Sequence, residues 1–145
     1  MAAESRSSAS HLVFACGSSW FAVPSDRAAE VVTFPELTRV PGAPSHLLGV
    51  FAHRGEVIPV IDLAQLTGAT ADKTKRAVLL RLPRGVLALT ASRVAGVSAL
   101  SGKFDALGSS GVHVHLRGPA QASVGGQEVA VIEPDGLFDF LAQGG

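Results

Sequence analysis

The sequence predicts an all-β protein, either one small barrel or a pair of small barrels, with two or three short helices. Three observations predict it. Apolar runs of four to seven residues recur at regular spacing, separated by Gly-, Ser- or Pro-bearing turns. No alternation of strand and helix patterns suggests a parallel βαβ fold, and there are no sustained heptads and no repeat of fixed period. Hydrophobic residues make up 47% and charged residues 17% of the 145, too apolar for a disordered chain and long enough for one domain with a real core.

Taken in order, residues 1–10 (MAAESRSSAS) read as a disordered polar tail, without the apolar segment of a signal peptide. Runs 11–15 and 20–23 flank Gly17-Ser18-Ser19, a hairpin turn, and Pro24 ends the second strand. Residues 28–34 read as a third strand, with a helical reading of 26–32 open, and Pro35 stops either. After a loop at 38–44, Pro44 opens a short helix at 44–48 that Gly49 ends. Residues 48–52 and 56–61 form a hairpin with His53-Arg54-Gly55 at its tip; Pro59 implies an edge position or a bulge. Asp62 and Gln65 have capping-box spacing, with Gly68 closing a helix of about two turns.

Residues 69–75 are polar and flexible in composition. A second hairpin pairs 77–82 with 86–90 around Pro83-Arg84-Gly85. Residues 93–100 form another strand, Gly96 marking a bulge. A Gly/Ser-rich connection at 101–111 leads to 112–116, where apolar residues alternate with His. Residues 119–124 are weakly patterned, Gly125-Gly126 is a turn, and 128–133 is a strand. Pro134 starts a C-terminal helix with Leu137, Phe138 and Leu141 on one face, and 143–145 is a tail. Met1 and Gly145 read as the ends of a complete chain whose single domain occupies 11–142.

Composition narrows function. Twelve basic and twelve acidic residues cancel, which removes any global pull toward nucleic acid or anionic membrane. A single cysteine, Cys16, forbids an internal disulfide and favours a reducing compartment. No apolar run approaches the roughly 18 residues that span a bilayer. His113 and His115 would share one strand face and could begin a zinc site, but no further ligands stand at metal spacing. No serine lies in G-x-S-x-G, and the glycine-rich segments lack the phosphate-binding motifs. Pro41-Gly42-Ala43-Pro44 fits P-x-x-P yet sits inside a folded pattern, as a rigid loop does. Arg54 is open to two readings: a solvated charge, or a cation held out on a stiff apolar hairpin as an interface anchor.

The stretch GVFAHRGEVIPVIDLAQLTG (49–68) resembles the central motif of the CheW-like domain, commonly Gly-Val-Ile-Asn-Leu-Arg-Gly-x-x-x-Pro-Val-Ile-Asp-Leu followed by a short helix. Upstream, FAVPSDRAAEVV and RVPGAP resemble that family's "FALPI…V.EV" segment and "VP.aP" loop. Downstream, LALTASRVAGVSAL and VHLRGPAQASVGGQEVAVIEPDGLFDFL are similar to its later strands and closing segment, so the resemblance covers about 11–142. Ala52-His53 stands where the family commonly has Asn-Leu, and Ser25 where it has an apolar residue.

The resemblance implies two small five-stranded SH3-like barrels. It implies a non-enzymatic cytoplasmic adaptor at receptor arrays, with no cofactor and no metal. The implied partners are a chemoreceptor signalling domain, its helical tip in a groove between the barrels, and the regulatory domain of a CheA-type histidine kinase. Arg54 matches the family's Arg-Gly arginine; His53, Gly55, Glu30, Val31, Val32, Gly49 and Val50 complete the implied protein-binding set. Two alternatives accompany this reading: a specialised scaffold that binds receptors or another partner but not the kinase, and a metal-dependent or hydrolytic enzyme using His113, His115 and a serine.

Overall fold

The computed structural model describes residues 4–6, 10–70 and 73–143. Among them the strands are β1 (Glu4–Arg6), β2 (His11–Cys16), β3 (Ser19–Pro24), β4 (Ala28–Thr33), β5 (Leu47–His53), β6 (Glu56–Ile61), β7 (Arg76–Leu82), β8 (Gly85–Thr90), β9 (Arg93–Ser98), β10 (Leu100–Lys103), β11 (Leu116–Ala122) and β12 (Glu128–Ile132). The helices are α1 (Leu63–Thr67) and α2 (Pro134–Ala142). No helix among the described residues is long and apolar enough to cross a membrane.

The strands form two sheets, ordered β1-β10-β11-β12-β3-β2-β9 and β4-β7-β8-β6-β5. Both curl, and for the same reason. In the first sheet β9 and β10 lie toward opposite edges yet are joined by one residue, Ala99, so the sheet must bend until those edges meet. With β9 and β10 taken as one bent strand, the first barrel has five strands plus the short β1 at its edge. In the second sheet, the segment after β4 reaches back to the far edge, where Thr38 and Val50 exchange both backbone hydrogen bonds at 2.9 Å. Each barrel contains one parallel pair, β12 with β3 and β6 with β8, between antiparallel hairpins.

Three apolar clusters follow from this plan. Val13, Ala22, Leu100, Ala120 and Val129 fill the first barrel. Phe34, Phe51, Ile58, Val60 and Leu79 fill the second. Phe14, Val23, Leu63, Leu80, Leu89, Ile132 and Leu137 form a third core with members from both sheets. Val13 and Phe14 are adjacent and both fully buried, in different clusters. Strands covered on both faces read as continuous apolar runs instead of alternating ones, which accounts for HLVFA and AVLL.

The helix α2 fastens the two barrels together. Leu137 is fully buried in the shared core. Arg27 and Arg84 of the second barrel pair with Asp135 and Asp139, while Glu133 at its start pairs with Arg117 of β11. The α1 cap forms as its residues dictate on one side only: Asp62 accepts from the Gln65 N–H at 3.3 Å and Gly68 takes φ 79°. Gln65 does not reach back. Its amide donates to Ser45 Oγ, and the Asp62 N–H goes to the His46 carbonyl.

Several expectations are corrected. Residues 4–6 of the expected tail form β1 against β10, a backbone pairing that needs no apolar pattern. The rest of that tail up to residue 9, residues 71–72 of the polar stretch and residues 144–145 of the closing tail lie outside the described residues. Residues 44–47 make a turn, not a helix, because Leu47 is drawn into pairing with Ile61. Residues 28–34 take the strand reading. The run 93–100 divides at Ala99 into β9 and β10, with the register shift opposite Val13 and Phe14 near Gly96 as expected. Pro59 lies in β6, which is flanked on both sides, but the β6–β8 pairing begins only at Val60. Residues 111–115 are a 3-10 helix, not a strand, and 116–122 is a strand despite Pro119, which sits at a bulge.

Candidate functional site

The β5–β6 hairpin carries the candidate site. Its pairing places Phe51 opposite Ile58 and Ala52 opposite Val57. Phe51 and Ile58 enter the second barrel's core. By alternation Ala52 and Val57 face outward, and Val57 is 70% exposed. The tip is a two-residue turn, Arg54 at φ 51° and Gly55 at φ 82°, with His53 paired to Glu56. Two consecutive positive φ values match the right-handed twist of the flanking strands. Glycine adopts such a value freely, but Arg54 is the only non-glycine with positive φ among the described residues. Left-handed backbone at a residue with a Cβ costs about 1–2 kcal/mol; the two-residue turn between the paired His53 and Glu56 imposes it on Arg54.

The partner of the Arg54 side chain is Glu30. It lies on β4, at the opposite edge of the strand order from β5. One carboxylate oxygen accepts from Arg54 at 2.9 Å, and the other lies 2.9 Å from His53 Nε2. An ionised carboxylate only accepts, so His53 must carry its proton on Nε2 to donate. The His53 ring packs on Phe51, centroids 5.8 Å apart, so the pair lies over the mouth of the second barrel's core. Glu30 therefore ties the hairpin tip across the seam of the barrel. It is 27% exposed, whereas the Arg54 side chain is 71% exposed. Arg54 is thus neither a free solvated charge nor a buried one: it is anchored at one nitrogen and open to solvent over most of its surface.

A second ion pair stands beside the first. Arg81 of β7 donates two hydrogen bonds to Glu56, at 2.6 and 3.2 Å. These bonds hold the Glu56 carboxyl below its ordinary value; desolvation opposes them, and the charges of Arg81 and His53 add to the lowering. Arg81 is raised in turn, chiefly by its hydrogen bonds to Glu56. The sequence reading did not single out Glu56 or Arg81. They are 25 residues apart, and no local pattern signals such a pair.

The other predicted site residues divide. Val31 is exposed at 40%, while its neighbour Val32 packs toward the second barrel's core, so the two serve different faces of β4. Gly49 sits where a Cβ would come within 2.7 Å of the Thr38 carbonyl oxygen, and Val50 makes the backbone bridge to Thr38. Both close the seam. The structure thus brings Glu30, His53, Arg54 and Gly55 together, and places Val31, Val32, Gly49 and Val50 around them on separate surfaces.

The histidine pair does not form a site. His115 packs its ring on Phe140, centroids 5.6 Å apart, in space left by Gly136, where a Cβ would approach His115 Nδ1 to 2.6 Å. His113 lines a different surface, a groove of about 490 Å³ that also touches Trp20, Thr67, Ala69 and Val129 and so runs between the first barrel and the end of α1. Among the described residues no three His, Cys, Asp or Glu side chains are grouped to hold a metal. A smaller apolar groove of about 210 Å³ lies between α2 and the second barrel, with Leu47, Pro59, Ile61, Phe138 and Leu141 among its walls.

A family model described as the CheW-like domain matches residues 10–139. The protein FrzA of Myxococcus xanthus is 37% identical over 99 residues, which cover 68% of this chain and 59% of FrzA. The chemotaxis protein CheW of Helicobacter pylori is 38% identical over 63 residues, 43% of this chain and 38% of that protein. The chain thus spans less than two thirds of the length of either relative. The crystal structure of the scaffolding protein TtCheW from Thermoanaerobacter tengcongensis, 20% identical, has the same fold, with a TM-score of 0.70 over 86% of this chain and 88% of that one.

Proposed function

The chain belongs to the CheW-like domain family, and from that premise we propose that it is a chemotaxis-type adaptor coupling chemoreceptor signalling domains to a CheA-type histidine kinase. The observation that carries this reading is the β5–β6 hairpin, which holds Arg54 exposed on its two-residue turn beside an outward face bearing Val57. Binding surfaces of this kind combine an arginine anchor with apolar contact and a preorganised backbone. The two-residue turn sets the backbone of the tip, and the tie to Glu30 leaves most of the Arg54 side chain open to a partner. An amphipathic receptor helix would lay its apolar side along an apolar groove between elements of this fold. Transmission is by contact, and the proposed site of action is the cytoplasmic receptor array.

The test mixes the purified chain with a receptor signalling tip and, separately, with the regulatory domain of the kinase. Binding to both at micromolar concentration, weakened by Arg54→Ala for at least one partner, is the expected result. If neither partner binds at such concentrations, the coupling role is wrong.

A further inference from the structure

Glu30 has two oxygens and two claimants. His53 Nε2 and Arg54 each sit 2.9 Å from a different oxygen of the same carboxylate. We propose that the protonation of His53 sets how firmly Arg54 is held to Glu30, and so how freely the Arg54 guanidinium can meet an acidic group on a partner. The inference deepens the coupling role proposed for Arg54 and rests on it for its biological consequence.

Among the described residues, the ion pairs at and beside His53 bring in four charged groups. Glu30 comes from β4, Arg54 from the turn, Glu56 from β6 and Arg81 from β7. Arg81 is hydrogen-bonded to both oxygens of Glu56, and Glu30 acts on it through its charge alone. With His53 neutral, two carboxylates face two guanidinium groups and the cluster carries no net charge. The Nε2–H then donates to Glu30 without drawing on its charge. When His53 is protonated the cluster gains one positive charge, placed in contact with the carboxylate that holds Arg54 and next to Arg54 in the chain. A carboxylate shared between two cations holds each less tightly, and the two cations repel.

Which cation gives way is decided by packing. The His53 side chain is 23% exposed and lies against Phe51. The Arg54 side chain is 71% exposed and its backbone sits in the left-handed region, so leaving Glu30 takes it into open solvent. Histidine changes charge between about pH 5 and pH 8, the range in which the device would act.

The experiment follows the isolated full chain by NMR from about pH 8 to about pH 5, the range of histidine titration. It records the His53 ring nitrogens and the side-chain order of Arg54 Nε. The expected result is that Arg54 loses order in step with the titration of His53. In His53→Gln, which keeps a donor but no charge, Arg54 stays ordered throughout. Unchanged order of Arg54 while His53 titrates overturns the proposal, and so does an equal loss of order in His53→Gln. Should that variant fail to fold, the wild-type titration alone decides. Where the coupling role holds, affinity for the receptor signalling domain also shifts by about two- to fivefold over that range, as much as an exposed ion pair is worth. Absence of receptor binding at every pH would count against the coupling role and leave the NMR result to judge the device.

Discussion

The two barrels close on one plan and spend their hairpins differently. In the first, the β2–β3 hairpin is packed on both faces, with Val13 and Ala22 in the barrel and Phe14 and Phe21 in the core shared with the second barrel. In the second, the β5–β6 hairpin buries Phe51 and Ile58 but leaves Ala52 and Val57 outside. The difference is one of coverage, not of strand pattern. A hairpin that serves two cores keeps little surface beyond its turn, and a hairpin that serves one has a whole outward face and a tip to offer. Arg54 occurs on the second kind.

Breaking the covered hairpin should have the largest effect. Phe14→Ala empties a fully buried position and is expected to destabilise by about 3–5 kcal/mol in a denaturant titration, as aromatic truncations in cores do. Val57→Ala, on the open hairpin, should stay within about 0.5 kcal/mol. Equal costs for the two would erase the distinction between the hairpins.

The seams come next. At Gly49 a Cβ would meet the Thr38 carbonyl oxygen at 2.7 Å, whereas at Gly96 nothing lies within 4 Å. Both have positive φ, 150° and 126°. Gly96→Ala should cost only the backbone strain, about 1–3 kcal/mol. Gly49→Ala should add a clash of comparable size. Thermal melting of the two variants side by side tests the order.

Smaller still are the effects of the tip on stability. Glu30→Gln removes the charge that holds Arg54 and should cost about 1 kcal/mol or less, since the pair is partly exposed. Arg54→Gly loses the same pair but relieves the left-handed strain, so its stability should lie at or above that of Glu30→Gln. Arg54→Gly should weaken partner binding, measured by calorimetry, far more than it changes the melting temperature, whereas Glu30→Gln leaves the guanidinium free to meet a partner and should not weaken binding.

The smallest effect concerns pH. Glu56 is held below its ordinary value when folded, so its pairing with Arg81 contributes stability that is present at neutral pH. That contribution is lost as pH falls below the ordinary carboxylate value and through the lowered one. The stability difference between wild type and Glu56→Gln should therefore shrink on acidification. A difference that grows toward acid would reverse the sign.

Much of the fold was legible from residues near one another in sequence. The hairpins at 11–23, 48–61 and 77–90, the Arg54-Gly55 turn, the Asp62 cap, the Gly68 stop and the Pro134 helix start all follow from local chemistry. Where competing partners lay far away, local chemistry misled. Residues 44–48 have a helix-start proline, but Leu47 pairs with Ile61 instead. His113 and His115 have strand spacing, but they fall in a 3-10 helix whose second histidine is needed against Phe140 and Gly136.

For the site, sequence alone put Arg54 and Gly55 at a hairpin tip, because turn geometry depends on the two residues that make the turn and their immediate neighbours. It also matched Glu30 to a family segment, without saying what Glu30 touches. That Glu30 binds Arg54 and His53 together was decided only by closure of the second barrel, which brings the edge strand β4 against the tip of β5. Contacts 23 and 24 residues apart depend on how a sheet curls, and curling is set by the joint packing of all five strands.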